Sequence, residues 1–325
     1  MTVIVSGMRP TGPLQLGNYL GALDNWVKLQ AENQCFFFVA DWHALTTGYE
    51  NTDDLRENTK MMIIDWLSAG IDPERSVIFR QSDLKEHAEL HLLFSMITPL
   101  AWLERCPTYK DQLQQLSDRN ITTYGFLGYP SLMAADILMY KPQFVPVGED
   151  QLPHLELARE IARRFNFLYG PVFPEPQAKM TRVTLLPGLD GRKMSKSYGN
   201  TISMSGDPAE IKEKVAVMIT DPARARRSDP GDPEKCTVFT FQKIFARPEE
   251  LPPIVEGCKT AGIGCVDCKK QLMARMIDRL APIYSRRQEL LAQPDLVEEI
   301  LAKGAGEARK VAGKTMAQVR EAMKL

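Results

Sequence analysis

The sequence has no long hydrophobic run, no internal repeat and no low-complexity segment. No apolar stretch approaches the ~20 residues that a membrane-spanning helix requires. The chain opens directly with the β-branched run at residues 2–5, without the pattern of a signal peptide. These absences predict a cytoplasmic protein that does not bind membranes.

The sequence also lacks an excess of charge of either sign. Its 325 residues carry a formal net charge of −1, with 44% hydrophobic and 25% charged residues. This composition is typical of a globular protein long enough for two domains, each with its own core. Residues 204–325 hold 21 Lys+Arg against 18 Asp+Glu, whereas residues 1–203 hold 19 against 23. A mildly basic second part suits a nucleic-acid partner but does not require one.

Short apolar runs alternate with helical patterns over the first two thirds of the chain. The runs at residues 2–5, 35–40, 76–79 and 144–147 are typical of strands that are buried on both faces of a parallel sheet. Helices are predicted at residues 53–69 and 84–103. The pattern predicts an α/β fold with a doubly wound, Rossmann-like parallel sheet, which binds nucleotides beyond the carboxyl ends of its strands.

From about residue 204 the pattern becomes helical. Asp207-Pro208-Ala209-Glu210 supplies an N-cap residue, a proline at the first helical position and a glutamate at the third. Helical stretches are expected near residues 208–219, 268–291, 295–303 and 306–323. The prediction is a catalytic domain at residues 1–203, with an inserted helical segment at about 82–130, and a smaller all-helical domain at residues 204–325.

A glycine-rich turn follows the first predicted strand. Arg9-Pro10-Thr11-Gly12 opens the turn, and a helix with an apolar face begins near Gly17 and Asn18. A strand, a glycine turn and a helix N-terminus expose free backbone N–H groups, and the helix dipole favours an anion there. The turn could equally be an ordinary connection between a strand and a helix.

A second loop carries the segment Lys193-Met194-Ser195-Lys196-Ser197. The preceding residues, PGLDGR, and the following YGN keep it out of regular structure. Two ammonium groups and two hydroxyls can bind polyphosphate. Alone, such a string is most often a solvated basic turn, but its combination with the first glycine turn favours a nucleotide site.

These two segments resemble the signature motifs of class I aminoacyl-tRNA synthetases. Residues 11–18, TGPLQLGN, are similar to the HIGH signature, and residues 193–197 match the KMSKS signature letter for letter. Similarity to the tryptophanyl-tRNA synthetases extends over nearly the whole chain and includes residues 129–137, 147–151 and 163–166.

The chain departs from the HIGH signature where Gln15 and Asn18 replace its two histidines. Both are neutral donors that can hydrogen-bond phosphate but cannot carry a proton. The replacement of the histidines by neutral donors suits a reaction that is catalysed by electrostatic positioning rather than by proton transfer.

The resemblance implies a set of residues that bind ATP and Mg²⁺. Lys193 and Lys196 would hold the β- and γ-phosphates, and Lys110 is a candidate mobile phosphate contact; these three lysines are the predicted catalytic residues. The full predicted ATP set is Arg9, Pro10, Thr11, Gly17, Asn18, Gly148, Glu149, Asp150, Val183, Lys193, Met194, Ser195, Lys196 and Ser197.

The resemblance also implies a tryptophan pocket. The indole N–H is only a donor, so the carboxylate of Asp136 is its natural acceptor, although this residue could instead be a helix cap or pair with an arginine. Met133 would flank the indole. Tyr129 and Gln151 would hold the substrate ammonium, and His43 would line the pocket or be a structural histidine.

Four of the six cysteines lie close together in the helical part. Cys236, Cys258, Cys265 and Cys268 are separated by 21, 6 and 2 residues. In a cytosolic protein such a set indicates metal binding rather than disulfides, and four thiolates suit either zinc or an iron–sulfur cluster. The spacing resembles that of a subset of bacterial tryptophanyl-tRNA synthetases with a 4Fe–4S cluster in the anticodon-binding domain, which favours the cluster.

The predicted function is therefore that of a tryptophan–tRNA ligase that uses ATP, L-tryptophan and tRNA(Trp). By family habit a homodimer is expected, with residues 92–97 as a candidate contact. The alternatives are a tyrosine-specific relative, a non-catalytic paralogue that binds RNA or senses redox state, and a small-molecule nucleotidyltransferase. Val5 stands where a tyrosine-specific relative needs a partner for the substrate hydroxyl, and the intact lysine loop argues against a non-catalytic paralogue.

Overall fold

A computed structural model describes residues 1–107, 109–111, 121–180 and 186–325, with all their side chains except those of Asp150 and Ser197. The described part contains one five-stranded sheet in the order β3-β2-β1-β4-β5, and every pair of neighbouring strands is parallel. The strands are β1 (Thr2–Met8), β2 (Asn33–Val39), β3 (Ser76–Arg80), β4 (Phe144–Val147) and β5 (Gln177–Met180). The predicted α/β fold class is confirmed.

Helices connect the strands on both faces of the sheet. The first, α1, begins as Leu16–Asn18, passes through a π-helical turn at Tyr19–Leu23 and ends as Asp24–Leu29. The next helices are α2 (Asp41–Gly48), α3 (Leu55–Ala69), α4 (Lys85–Ile97), α5 (Leu100–Glu104), α6 (Tyr124–Leu138) and α7 (Leu152–Tyr169). Short 3₁₀ turns follow β3 at Gln81–Asp83 and β4 at Glu149–Gln151.

The C-terminal part is helical, as predicted. It contains α8 (Pro208–Val217), α9 (Thr237–Phe245), α10 (Leu251–Lys259), α11 (Cys265–Leu291) and α12 (Leu296–Met323). The predicted cap of α8 is present, because the carboxylate of Asp207 accepts hydrogen bonds from the backbone N–H groups of Ala209 and Glu210 at 2.7 and 2.8 Å. No helix within the described ranges combines the length and the apolar character that crossing a bilayer would demand.

Several predicted elements differ from the structure. The helix expected at residues 84–103 is interrupted between α4 and α5, because Pro99 and the residue before it, Thr98, are extended. The two helices expected at 295–303 and 306–323 are one helix, α12. Strand β5 and helices α9 and α10 were not predicted.

Two apolar clusters pack on the two faces of the sheet. Consecutive strand residues point to opposite faces, so Ile4 and Phe37 join one cluster, whereas Val5 and Phe36 join the other. The first cluster also contains apolar residues of α11 and of the start of α12 (Val297, Ile300 and Leu301), and the second contains those of α12 from Ala305 onward. The C-terminal helices therefore complete the layers that cover the sheet.

Helix α12 continues through its glycines because one of them allows very close packing. A Cβ atom at Gly304 would lie 1.8 Å from the backbone oxygen of Ile78 in β3, whereas a Cβ atom at Gly306 would have no neighbour within 4 Å. Gly304 thus lets the helix backbone rest directly on the strand.

We expect Gly304→Ala to lower the free energy of unfolding by about 1–3 kcal/mol, since the methyl group must displace β3 or α12. Gly306→Ala in the same helix is the matched control, and it should be neutral or stabilising by up to ~1 kcal/mol. Urea unfolding of both variants measures the difference. Equal stability of the two variants would contradict the close packing of α12 on β3.

Candidate functional site

A cavity of about 400 Å³ opens at the carboxyl ends of the central strands. Its walls come from the end of β1 and the following turn, from α2, from α6 and from the segment after β4. Eight of the residues predicted to bind ATP or tryptophan line it: Arg9, Asn18, His43, Tyr129, Met133, Asp136, Gly148 and Gln151.

Asp136 is the centre of a buried hydrogen-bond network. It is 1% exposed, and its Oδ2 accepts from His43 Nε2 at 2.7 Å. Its Oδ1 accepts from His87 Nδ1 at 2.7 Å, and Gln81 Nε2 donates to both oxygens at 2.8 and 2.9 Å. Of these four residues, only Asp136 and His43 line the cavity. Asp136 is thus neither a helix cap nor paired with an arginine.

This network keeps the carboxylate ionised. Burial alone would raise the pKa of Asp136, but the hydrogen bonds from His43 and His87 outweigh it and lower the pKa to about 2. The other ring nitrogen of His87, Nε2, is hydrogen-bonded to the hydroxyl of Tyr140 at 2.8 Å. Burial and the nearby Asp136 hold the pKa of Tyr140 well above its usual value, so this hydroxyl keeps its proton.

Tyr129, whose ring centroid lies 6.5 Å from that of His43, makes a second set of polar contacts at the cavity. Its hydroxyl contacts His154 Nε2 at 3.3 Å, and His154 Nδ1 contacts the Sγ atom of Cys106 at 3.3 Å. Burial raises the pKa of Tyr129, which therefore remains a neutral phenol, although the cation of Arg9 opposes the shift. Desolvation in turn lowers the pKa of Arg9, which faces the cavity as a guanidinium.

The first signature turn has the geometry of an anion site. Gly12 has a φ of 108°, a conformation that favours glycine. The backbone N–H of Gln15 donates to Asn18 Oδ1 at 3.0 Å, which leaves the amide NH₂ of Asn18 for the cavity that it lines. A Cβ atom at Gly17 would have no neighbour within 4 Å, so a ligand can approach the backbone there. Pro10 is buried and Thr11 is exposed.

The second signature loop is organised by Asn200, which is 3% exposed. Its Nδ2 donates to Asp190 Oδ1 at 2.7 Å and to the Lys193 carbonyl at 3.2 Å, and its Oδ1 accepts from the Ser195 backbone N–H at 2.8 Å. A Cβ atom at Gly188 would lie 2.1 Å from this amide. Met194 is buried in the core, so its side chain anchors the loop, and only its backbone could contact a nucleotide.

The two signature segments, at residues 11–18 and 193–197, are joined directly. The Leu16 backbone N–H donates to the carbonyl of Ile202 at 2.9 Å, and the Met204 N–H donates to the carbonyl of Leu14 at 3.2 Å. In addition, Lys196 Nζ donates to the Thr11 carbonyl at 2.9 Å. The structure therefore brings the predicted phosphate-binding lysine to the predicted phosphate-binding turn.

Some predicted residues are not brought to the cavity. Lys110 is exposed and does not line it, and neither do the exposed residues Lys193 and Glu149. Val183 lies outside the described residues, as do the side chains of Asp150 and Ser197. Their predicted roles remain predictions.

The four cysteines of the C-terminal part meet at the ends of three helices. Cys236 precedes α9, Cys258 lies in the last turn of α10, and Cys265 and Cys268 lie in the first turn of α11. Burial raises the pKa of Cys236, Cys258 and Cys268, and neighbouring thiols of the set add to the shift. The four thiols are therefore close neighbours.

N–H donors and a closely packed glycine surround these thiols. Gln242 Nε2 lies 3.5 Å from Cys268 Sγ, and Arg224 Nη1 lies 4.0 Å from Cys258 Sγ. A Cβ atom at Gly231 would lie 2.8 Å from Cys258 Sγ. However, within the described ranges no three His, Cys, Asp or Glu side chains are arranged to hold a metal ion. The predicted metal site is thus not confirmed.

Sequence reasoning missed four polar residues that organise the site. Gln81 and His87 follow β3 and hold Asp136, His154 contacts Tyr129, and Asn200 shapes the lysine loop. The position of Gln81 directly after a predicted strand was the one available signal. The others act through partners that are distant in sequence.

The family model described as "tRNA synthetases class I (W and Y)" matches residues 1–281. Together with the Rossmann-like sheet and the joined signature segments, this match shows that the chain belongs to this class of synthetases.

Individual relatives agree over the full length. The chain is 56% identical to the tryptophan–tRNA ligase of Thermotoga maritima over 324 residues, which cover 99% of each protein. It is 47% identical to the tryptophan–tRNA ligase of Aquifex aeolicus, again with 99% of each covered. The crystal structure of tryptophanyl-tRNA synthetase from Campylobacter jejuni complexed with ADP and tryptophan superimposes with a TM-score of 0.89 at 35% identity, covering 99% of this chain and 100% of that one.

The low pKa of Asp136 predicts a specific pH dependence of stability. Because the folded-state pKa is depressed to about 2, the carboxylate stabilises the fold at pH values above its unfolded pKa near ~4, and this contribution disappears as the pH falls towards 2. We expect the stability difference between the wild type and Asp136→Asn to shrink by about 2 kcal/mol between about pH 5 and pH 2. Urea unfolding at both pH values measures it, and a constant difference would contradict the assignment.

Proposed function

We infer that the chain is a tryptophan–tRNA ligase that activates L-tryptophan with ATP and transfers it to tRNA(Trp). The observation that carries this inference is the ionised, buried carboxylate of Asp136 at the wall of a mainly apolar cavity. An indole N–H can only donate a hydrogen bond, and a carboxylate can only accept one. Identity to named tryptophan–tRNA ligases over 99% of the chain supports the same function.

The network around Asp136 defines how the indole is received. A carboxylate offers about four lone-pair positions, and His43, His87 and Gln81 make four contacts with them. His43 is the donor on the cavity side, so we propose that it yields or shares Oδ2 when the indole N–H arrives. Gln81 and His87 would remain and keep the carboxylate oriented.

The remaining cavity residues would bind the rest of the amino acid. Met133 flanks the indole plane, and the oxygens of Tyr129 and Gln151 hold the ammonium. Arg9 faces the cavity next to the first signature turn, where it reaches both the substrate carboxylate and the α-phosphate. The tyrosine-specific alternative is less well supported, since Val5 at the cavity wall offers no partner for a substrate hydroxyl.

Activation requires positioning and charge neutralisation rather than a covalent nucleophile. The tryptophan carboxylate attacks the α-phosphorus of ATP, which gives tryptophanyl-adenylate and pyrophosphate. Thr11, Gly17 and Asn18 would contact the nucleotide at the first turn, while Lys193 and Lys196 neutralise the β- and γ-phosphates. Mg²⁺ would neutralise further phosphate charge, and Lys110, Gly148 and Asp150 are proposed additional contacts.

Transfer to tRNA would use the second part of the chain. We propose that residues 1–203 perform the chemistry and residues 204–325 bind the anticodon region. The acyl group would move to a hydroxyl of the 3′-terminal adenosine, the 2′ hydroxyl if the habit of class I synthetases holds. Lys259 and Lys270 are exposed beside the cysteines and would contact phosphates.

We also propose that the four cysteines hold a 4Fe–4S cluster. The N–H groups of Gln242 and Arg224 face sulfur atoms, which supports a bound anionic group, and Gly231 lets the chain pack closely against Cys258. A single zinc ion binds its sulfurs at ~2.3 Å and therefore draws them tightly together, whereas a cluster binds each thiolate to a different iron. The resemblance of the cysteine spacing to that of the cluster-bearing subset of synthetases favours the cluster, and zinc is the alternative.

A cytoplasmic homodimer is proposed as the working form. Leu92 and Met96 on α4 and Leu100 at the start of α5 are 55%, 66% and 62% exposed. These three residues are exposed apolar side chains within the catalytic part itself. Leu93, Phe94 and Ile97 of the same segment are buried in the core. Of the predicted contact region at residues 92–97, only the exposed side chains could contact a second subunit, because the buried ones belong to the core.

We predict that tryptophan alone supports pyrophosphate exchange, and that Asp136→Ala raises the KM for tryptophan far more than the KM for ATP. Loss of a hydrogen bond to a charged group costs roughly 1.5–3 kcal/mol, which corresponds to about a 10- to 150-fold change. Steady-state exchange kinetics with each substrate varied in turn measure this split. Equal stimulation by tyrosine, or parallel changes in both KM values, would defeat the specificity assignment.

Cys265→Ser is expected to remove the brown colour of the anaerobically purified protein and to impair tRNA charging while pyrophosphate exchange persists. The reason is that the cysteines lie in the helical part, away from the cavity. Val266→Ser changes an exposed neighbouring residue and is the matched control. Metal and sulfide analysis checks the cluster directly. One zinc without iron would refute the cluster, and a loss of exchange in proportion to charging would refute its proposed role.

A further inference from the structure

Asp65 is a buried carboxylate outside the cavity that the proposed chemistry does not use. It lies in α3, is 1% exposed and does not line the cavity. Its Oδ2 accepts from the backbone N–H of Leu14 at 3.3 Å, and its Oδ1 accepts from Arg287 Nε at 2.8 Å. Asp65 therefore lies beneath the first signature turn and connects it to α11.

The ion pair with Arg287 is shielded from water. The side chain of Arg287 is 19% exposed, and its Nη2 also lies 3.6 Å from Met61 Sδ in α3. Removing one partner of such a pair leaves an uncompensated charge, which destabilises a protein strongly. A role limited to stability is thus the main alternative to a role in the nucleotide site.

The geometry above Asp65 points to the second role. Lys196 Nζ donates to the carbonyl of Thr11, three residues before Leu14, at 2.9 Å. A Cβ atom at Gly12 would lie 3.0 Å from the same Nζ, so the glycine leaves room for the ammonium over the turn. The ammonium and the carboxylate thus approach the same short turn from its two sides.

Electrostatics agree with this arrangement. Desolvation lowers the pKa of Lys196, and the charge of Asp65 opposes this shift. Burial raises the pKa of Asp65. The hydrogen bonds from Arg287 and Leu14 oppose this increase, as does the positive charge of Lys196. The three charged groups form one coupled set, in which Arg287 compensates the carboxylate and the carboxylate favours the charged form of Lys196.

We propose that Asp65 is a positioning residue of the ATP site: it fixes the first signature turn through Leu14, and with it the Thr11 carbonyl and Gly12 against which Lys196 rests. The proposal rests on the assignment of Lys196 as a phosphate ligand. In the resting molecule Lys196 uses the Thr11 carbonyl as its partner. When polyphosphate enters, Lys196 exchanges this carbonyl for a phosphate oxygen without leaving the turn.

The test measures ATP affinity by calorimetric titration of the full-length protein, so that it does not depend on turnover. We expect Asp65→Asn to weaken ATP binding about tenfold, as for the loss of one contact to a charged group. Tryptophan affinity should change less than about twofold, because the cavity residues are untouched. Glu89→Gln is the matched control, since Glu89 pairs with Arg320 between α4 and α12 on the surface, and it should change neither affinity.

Two double variants separate positioning from stability. Asp65→Asn/Arg287→Gln removes both charges and should recover the urea midpoint while ATP binding stays weak. In a Lys196→Ala background, Asp65→Asn should weaken ATP binding much less than in the wild type, because Lys196 carries much of its effect.

The proposal is overturned if the Asp65/Arg287 double variant restores ATP affinity, or if the effect of Asp65→Asn is undiminished without Lys196. If instead the proposed function itself were wrong, the wild-type protein would give the abnormal result. Wild-type protein would then bind ATP or tryptophan poorly, or would support no tryptophan-dependent pyrophosphate exchange, irrespective of Asp65.

Discussion

The ionised carboxylate of Asp136 imposes the strictest condition on this fold. A buried charge is costly unless donors surround it, and Asp136 obtains three of them from His43, Gln81 and His87. His43 follows β2, Gln81 follows β3 and His87 belongs to the next helix. They reach one carboxylate on α6 because β2 and β3 are parallel and adjacent, so that the segments after them emerge at the same edge. The adjacent parallel strands thus bring together the residues that build the proposed tryptophan pocket.

The proposed nucleotide side of the site depends on backbone geometry more than on buried charge. Leu14 and Leu16 pair with the segment at 202–204, and this pairing holds the lysine loop against the first turn. Asn200 then gives the loop its internal shape through Asp190 and Ser195. The shape and position of this loop thus follow from contacts within the protein itself, and groups that are fixed in this way lower the entropic cost of reaching a reactive geometry.

Sequence reasoning recovered what depends on local patterns. Strands β1 to β4 were predicted since both of their faces are apolar, whereas β5 (Gln177–Met180) was missed since it is an edge strand with mostly exposed side chains. Residues 295–303 and 306–323 were predicted as two helices, because the close approach of α12 to β3 at Gly304 is visible only in three dimensions. The motif residues were found through their resemblance to synthetase signatures. Gln81, His87 and Asp65 were not, since their partners are at least 49 residues away.

The identity of the activated amino acid is the central claim, and pyrophosphate exchange by the wild-type protein tests it most directly. The measurement uses ATP, labelled pyrophosphate and each of the twenty standard amino acids in separate reactions. An indole donor facing the carboxylate of Asp136 predicts rapid exchange with tryptophan and background exchange with the other nineteen. Exchange with tyrosine at a comparable kcat/KM, or the absence of exchange with tryptophan, would contradict this account of the site.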